Sequence, residues 1–461
     1  MSASDSPQEL GVRSIRRLLL QYSVPAIIAS TATSLYNIVD SIFIGRGVDA
    51  LAISGLALTF PLMNLVIAFV TLLAVGGSTI SSIFLGQKDP EKATNVLHTT
   101  LLLSLIHSLV FGGLSLLFLD EILVLFGATE STIGYARDFM QIVLATTPIA
   151  YLFISLNNIM RATGYPTKAM VTALVSVGVN IIFAPLFIFV FHWGMRGAAL
   201  ATVVGQTTAC ILVLQHFFSK KSYIHFSRKA KWFSWATIKN IYAVGMSPFL
   251  INVCACVVVM FINQQLLSYG SENGDMAVGA YGIVNRVTML FLMIVMGVTQ
   301  GMQPILGYNY GAGNWYRVKR TLTLGIWVGS SITVLGFIIT ELFPDFVTGM
   351  FTDDKTIIEL SRNGFRIILI CYPLIGAAIV IQNFFQSIGK PQLSIFLSVT
   401  RQMVFLLPLL LIFPRFWGID GVWASMAVSD FISFVITIWT LIIVQRRLNK
   451  QFSVNASKYT N

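Results

Sequence analysis

The sequence predicts an all-α integral membrane protein whose twelve transmembrane helices form two parallel six-helix bundles. Three observations carry this reading. Of 461 residues, 56% are hydrophobic and only 11% charged, with a mean hydropathy of +0.78. A soluble chain carries about 25% charged residues and has no interior able to hide so much apolar surface, whereas lipid accepts it. Twelve apolar runs are long enough to cross a bilayer, and glycines and prolines recur at a constant offset of 225 residues.

Crossing about 30 Å of hydrocarbon takes roughly 20 helical residues. Runs of that kind fall near 16–42, 51–82, 93–118, 135–159, 168–191, 197–218, 236–268, 277–308, 320–342, 360–385, 394–413 and 419–445. The first, second, seventh and eighth exceed what is needed, which tilt, bending or projection beyond the lipid would absorb. Met1–Leu10 is polar and lacks a signal-peptide pattern, and the run from Leu18 leads into further spans without a small-residue cleavage site, so it is expected to remain as a spanning helix. The domain layout that follows is an N-terminal tail 1–15, a first lobe 16–219, a basic linker 220–235, a second lobe 236–446 and a C-terminal tail 447–461.

Orientation follows from the basic residues. Arg13, Arg16, Arg17, Lys88, Lys92, Arg161, Lys168, the linker lysines and arginines, Arg317, Lys319, Arg320, Lys390, Arg446, Arg447 and Lys450 all fall on one side of a twelve-span arrangement. The opposite loops carry Asp120, Glu121, Glu130, Glu272, Asp275, Glu341, Asp345, Asp353 and Asp354. By the positive-inside rule both termini face the cytoplasm, and one missed span would scramble the alternation. The net charge of +11 is scattered between apolar runs and forms no groove or stripe, so it does not indicate a nucleic-acid partner.

At the offset of 225, Gly45 matches Gly270, Ala52 matches Ala277, Gly86 matches Gly311, Phe126 matches Phe351, Pro148 matches Pro373, Asn158 matches Asn383, Gly164 matches Gly389 and Pro166 matches Pro391. Glycine and proline set backbone geometry and close approach, so their coincidence says more than matching leucines would. Beyond Pro391 the register slips by one: Gly194-Met195-Arg196-Gly197-Ala198 answers Gly418-Ile419-Asp420-Gly421-Val422. A unit of six spans brings both copies in from the same side, so the halves are parallel repeats with a cleft between them.

Polar residues inside the spans mark the candidate site. Asp40 closes the first span in Tyr36-Asn37-Ile38-Val39-Asp40 with no lysine or arginine one helical turn away. A carboxylate without a counter-charge in low dielectric spends part of its time protonated, as proton coupling requires. Gly45 and Arg46 mark the helix end nearby, which leaves open the reading that Asp40 is simply wet. Tyr36 shares its helix face. Asn157 and Asn158 close the fourth span, Asn180 lies in the fifth, and Thr202 and Gln206 in the sixth; each serves a cavity or acts as packing glue. The position equivalent to Asp40 in the second half is Gln265. Arg401 and Asp430 are a possible structural pair, Arg286 lies in the eighth span, and Met63 and Met289 are candidates for an adaptable apolar wall. Asn37, Met63, Gln206, Gln265, Met289 and Arg286 are thus the candidates for lining a substrate cavity. Prolines such as Pro25, Pro61, Pro148 and Pro185 offer bends within or near the ends of spans.

No phosphate-binding loop, HExxH or nucleophile triad occurs, so no enzyme, no catalytic residue, no metal site and no cofactor is expected, and an ion gradient is the expected energy source. Cys210, Cys254, Cys256 and Cys371 lie in apolar runs and read as small packed hydrophobes.

The chain resembles the multidrug and toxic compound extrusion family, in its bacterial branch of drug–ion antiporters. The resemblance runs from about Arg16 to Arg446. It is carried by Pro25 with Tyr36-Asn37-Ile38-Val39-Asp40, by Gly86-Gln87-Lys88-Asp89, by Arg161-Ala162-Thr163-Gly164-Tyr165-Pro166, by Gly197-Ala198-Ala199-Leu200-Ala201-Thr202 and by Gly307-Tyr308-Asn309-Tyr310-Gly311-Ala312-Gly313. It implies a V-shaped pair of bundles in the bacterial cytoplasmic membrane. These would export organic cations or other amphipathic compounds in exchange for H+ or Na+, as a monomer contacting only substrate and lipid. Asp40 would be the coupling carboxylate, with Asn180, Thr202 and Asn157 in its ion or proton network. Many relatives carry Asn-x-x-x-Asp in the fifth span, but here Asn180 is followed by Ile181, Ile182, Phe183 and Ala184, which favours H+ over Na+. A flippase or exporter for a lipid-linked saccharide or an endogenous metabolite is the alternative. It would need a strongly basic cavity, for which only Arg286, Arg401, Arg137 and Arg366 are available.

Overall fold

A computed structural model describes residues 7–48, 50–220, 222–270, 274–352 and 354–458. Lys221, Glu272 and Asp353 from the loop charges, and the side chains of Asn37 and Asp275, lie outside the described residues. Among the described residues, eleven single helices are long and apolar enough to cross a membrane, and one bent helix pair, taken as a single span, makes twelve. Spans 1 to 3 are Ile15–Gly47, Ser54–Gly86 and Pro90–Leu117; spans 5 and 6 are Pro166–Val190 and Gly194–Phe218. Spans 7 to 12 are Trp235–Tyr269, Met276–Gly311, Trp315–Leu342, Lys355–Ser387, Pro391–Ile412 and Pro414–Gln451. Span 4, expected as one helix, is Ile133–Ala145 and Thr147–Ala162 bent by 56°. The second piece opens with Pro148 in its first turn, where a missing N–H needs no partner. Its repeat mate Pro373 opens Tyr372–Ser387 after a 3₁₀ turn, Leu369–Cys371, inside span 10.

The duplication extends to loop geometry and to charge pairs. The loops after spans 2 and 8 each place a left-handed residue, Lys88 (φ 59°) and Gly313 (φ 74°), before an N-cap. Asp89 Oδ1 then accepts from the Lys92 amide at 3.0 Å and Asn314 Oδ1 from the Arg317 amide at 3.3 Å, satisfying donors that the first helical turn leaves free. The register slip holds as well, since Gly194 and Gly418 have φ of 55° and 56° at the starts of spans 6 and 12. At the end of the molecule that carries the acidic loops, Arg137 grips Asp120 through two bonds of 2.6 and 2.8 Å, and Arg362 grips Asp345 through two of 2.7 and 2.6 Å.

The lobes share their interior at the basic end and separate toward the acidic end. Ile238, Ile241 and Val244 of span 7 pack into the core of the first lobe, and Leu19 of span 1 packs into the second. Toward the acidic end, the core around Val258, Ile262, Tyr281, Phe365 and Trp423 is built from second-lobe residues alone. Glycines make the joined end possible. A Cβ on Gly86 would stand 2.0 Å from the Tyr308 carbonyl oxygen, and one on Gly311 would stand 2.1 Å from that of Ile83. These repeat mates therefore seat spans 2 and 8 backbone against backbone, as small residues do in membrane helix packing. The result is a pair of bundles joined at one end and diverging at the other.

Candidate functional site

Span 1 delivers Asp40 and Tyr36 to the interior of the first lobe. Asp40 is 8% exposed and its Oδ1 has no hydrogen-bond partner among the described residues, so Asp40 is enclosed by protein even though Gly45 and Arg46 follow closely. Asn180 of span 5 donates from Nδ2 to Thr202 Oγ1 of span 6 at 3.0 Å. Tyr36 stands beside Thr202 and within electrostatic range of Asp40. Spans 5 and 6 come close enough for this because of Gly205, one turn beyond Thr202, where a Cβ would lie 2.5 Å from the Ser176 carbonyl oxygen. On the far side of Asp40, Gly47 admits Ile188 of the π-helical segment Leu186–Val190 that follows Pro185, and Phe43 meets Phe189 edge to face at 6.2 Å. Residue 184 is a fully buried alanine.

Four of the five coupling candidates thus meet: Asp40, Tyr36, Asn180 and Thr202. Asn157 stands apart. Its Nδ2 donates to the Ala169 carbonyl at 3.0 Å and to Thr172 Oγ1 at 2.6 Å. Thr172 precedes Asn180 by two helical turns, roughly 12 Å along the axis. Among the cavity candidates, Met63 packs against the first-lobe core, and Gln206 and Gln265 are half-buried in spans 6 and 7. Arg286 and Met289 are exposed one turn apart on span 8. The two cavities described below, at the basic end, are lined by none of them.

The joined end holds polar contacts that the sequence did not disclose. Gln303 donates through Nε2 to Ser78 Oγ at 3.0 Å and Thr79 Oγ1 at 2.6 Å, tying span 8 to span 2. Arg161, counted from the sequence as a loop charge, lies in the last turn of span 4, and its guanidinium donates to Asn158 Oδ1 and, across the lobes, to Gln300 Oε1. Tyr242 of span 7 hydrogen-bonds His107 Nε2 of span 3 at 2.6 Å. The only available signal was that Gln303 stands 225 residues after Ser78.

Arg401 and Asp430 do pair, Nε to Oδ1 at 2.7 Å, with Asp430 8% exposed and the Arg401 side chain 31% exposed. Asp430→Asn would leave the guanidinium facing a neutral amide. We expect a loss near the lower end of the roughly 3–5 kcal/mol found for broken buried pairs, because Arg401 keeps part of its exposure. Thermal melting of the purified protein checks this. The double change Arg401→Met with Asp430→Leu should recover most of the loss, and no recovery would mean that the pair does more than neutralise itself.

A duplicated twelve-span helical membrane protein, joined at one end and carrying an unpartnered acid between the helices of one lobe, is by class a membrane transporter. The chain belongs to the MatE family, the multidrug and toxic compound extrusion transporters. The family model matches residues 25–186 and again 248–412, so the two matches repeat at nearly the offset read from the sequence. The chain is 27% identical over 435 residues to the multidrug export protein MepA of Staphylococcus haemolyticus, covering 94% of this chain and 95% of that protein. Among solved structures it is similar to the MATE multidrug transporter DinF-BH. That likeness has 35% identity and a TM-score of 0.87, covering 97% of this chain and 99% of the other. A MOP superfamily transporter from Pyrococcus furiosus shares the fold at a TM-score of 0.91 and 24% identity, covering 97% of this chain and 100% of that one.

Proposed function

We propose that this transporter exports amphipathic organic cations in exchange for inward-moving protons, with its basic end at the cytoplasm and its acidic end outside. The observation that carries the proposal is the unpartnered Asp40 oxygen, one helical turn from Tyr36, which stands beside the Asn180–Thr202 hydrogen bond. An acid that is buried, lacks a cation and faces neutral hydrogen-bonding groups can load and release a proton. Alanine at 184 removes the second carboxylate that a two-acid sodium site would use, which supports H+ as the coupling ion. In this assignment the structure is outward-open. Substrate enters when the basic end opens, and reciprocal preference of the two states for proton and substrate couples their movements. The likeness to MepA, a multidrug export protein, and to DinF-BH, a multidrug transporter, supports the direction and the cargo class.

The flippase alternative loses most of its basic cavity. Arg137 is paired with Asp120, Arg401 with Asp430, and Arg366 lies 4.0 Å from Glu341, which leaves Arg286.

Transport in reconstituted vesicles, read with a fluorescent organic cation under separately imposed gradients, tests the proposal. A pH gradient alone should drive uptake into inside-out vesicles, and a Na+ gradient at fixed pH should not. Drive by Na+ alone would overturn the proton assignment.

A further inference from the structure

Two crevices at the basic end are unused by the coupling mechanism. The larger, about 1240 Å³, lies where spans 7 and 11 begin, with Leu103 of span 3 closing it from the first lobe. Its cations are Lys239, exposed, and Lys390, half-buried, and no carboxylate lines it among the described residues. Burial and the neighbouring Arg447 both push the Lys390 ammonium below the ordinary lysine range. The rim carries Phe233 and Trp235, exposed by 66% and 71%, aromatic groups of the kind that settle at the membrane–water boundary. The floor is apolar, with Met246 and Ile395.

The smaller crevice, about 510 Å³, lies between the start of span 1 and span 9. Ser14 there stands 225 residues before Lys239. Arg16, Arg317 and Arg320 supply its cations, Trp327 supplies an exposed ring, and among the described residues no acid lines it. Arg320 spends one nitrogen on the Tyr316 hydroxyl, at 2.9 Å, and its remaining donors suit a phosphate. Both crevices combine cations, an exposed aromatic ring and apolar side chains.

We propose that the crevice between Lys239 and Lys390 is a binding site for a phosphate-bearing anionic lipid, with the headgroup between the two ammonium groups and the acyl chains along the apolar floor. The site does not depend on proton coupling. Because Leu103 of the first lobe faces the second-lobe residues across the crevice, lipid held there touches both lobes and favours the state in which that end is closed.

Titration of the purified protein with phosphatidylglycerol, followed by native mass spectrometry, tests this. The double variant Lys239→Gln with Lys390→Gln should bind about thirtyfold more weakly, given what each basic residue contributes at an anionic surface. Lys239→Arg with Lys390→Arg should retain binding, and both variants must run as monodisperse protein with unchanged melting. Phosphatidylcholine should not compete, and neither should inorganic phosphate at equal concentration. Equal phosphatidylglycerol affinity for wild type and the glutamine double variant would overturn the site. Displacement by inorganic phosphate alone would overturn the assignment to lipid.

Discussion

Asp40→Asn should reduce pH-driven exchange to the level of protein-free vesicles while leaving a folded, membrane-inserted protein. The amide keeps the size and planarity of the carboxyl and can still hydrogen-bond, so Tyr36, Thr202 and Asn180 keep their packing. It brings no charge into a site that is 8% exposed, which removes a burial cost and leaves stability equal or higher. What it removes is the capacity to exchange a proton. If the proton taken up from outside must occupy this group before the lobes return, the first lobe has no acid at position 184 to substitute, and the second lobe carries glutamine at the equivalent position 265. Uptake of a fluorescent cation into vesicles at an imposed pH gradient, with melting temperature measured in parallel, gives both readouts. Transport at the wild-type rate in a normally folded Asp40→Asn protein would falsify the assignment of Asp40 as the coupling group.

How far the sequence reached can be followed residue by residue. Hydropathy located the spans because lipid imposes a length, and the repeat located Pro148 and Pro373 because proline at a helix restart is a backbone requirement. The 56° bend itself was not legible: a proline marks where a helix can break, but the break starts at Thr146, and its angle is set by packing in the first lobe. Asp40 stood out because an acid without a cation inside an apolar run violates a local rule. Its neighbours Asn180 and Thr202 were nameable as polar span residues, but their contact depends on the close approach at Gly205, which belongs to two helices at once. The contacts that join the lobes were the least legible. Helical periodicity says which residues share a face and nothing about which face of span 8 meets span 2, so Gln303 against Ser78 had only the repeat offset as a trace and Arg161 against Gln300 had none. Arg161 was misplaced for the same reason. A basic residue at the end of a span reads as a loop charge until another lobe is found to hold it.

That joined end is the second place where a single residue should have a large effect. A Cβ on Gly245 would stand 1.8 Å from the Leu72 carbonyl oxygen and 2.6 Å from its carbon, both backbone atoms that no rotamer change can move. Restoring ordinary contact requires spans 7 and 2 to separate by roughly 1.5 Å, and overpacking of this kind costs about 1–3 kcal/mol or more. That range corresponds to a change of roughly 5- to 150-fold in the ratio of closed to open basic ends. The cost falls on the closed state alone if alternating access parts these helices. Gly245→Leu should therefore shift the transporter toward opening at the basic end rather than simply unfold it. Ser78, now 1% exposed and bonded to Gln303, becomes the reporter. In a background lacking the native cysteines, Ser78→Cys should resist a maleimide reagent added from the basic side, and adding Gly245→Leu should raise its labelling rate severalfold. Gly282→Leu, at a glycine whose Cβ would meet nothing within 4 Å, should leave the rate unchanged. Labelling that stays at background in a folded Gly245→Leu protein would mean that the span 2 and span 7 crossing does not separate during transport and that the lobes hinge elsewhere.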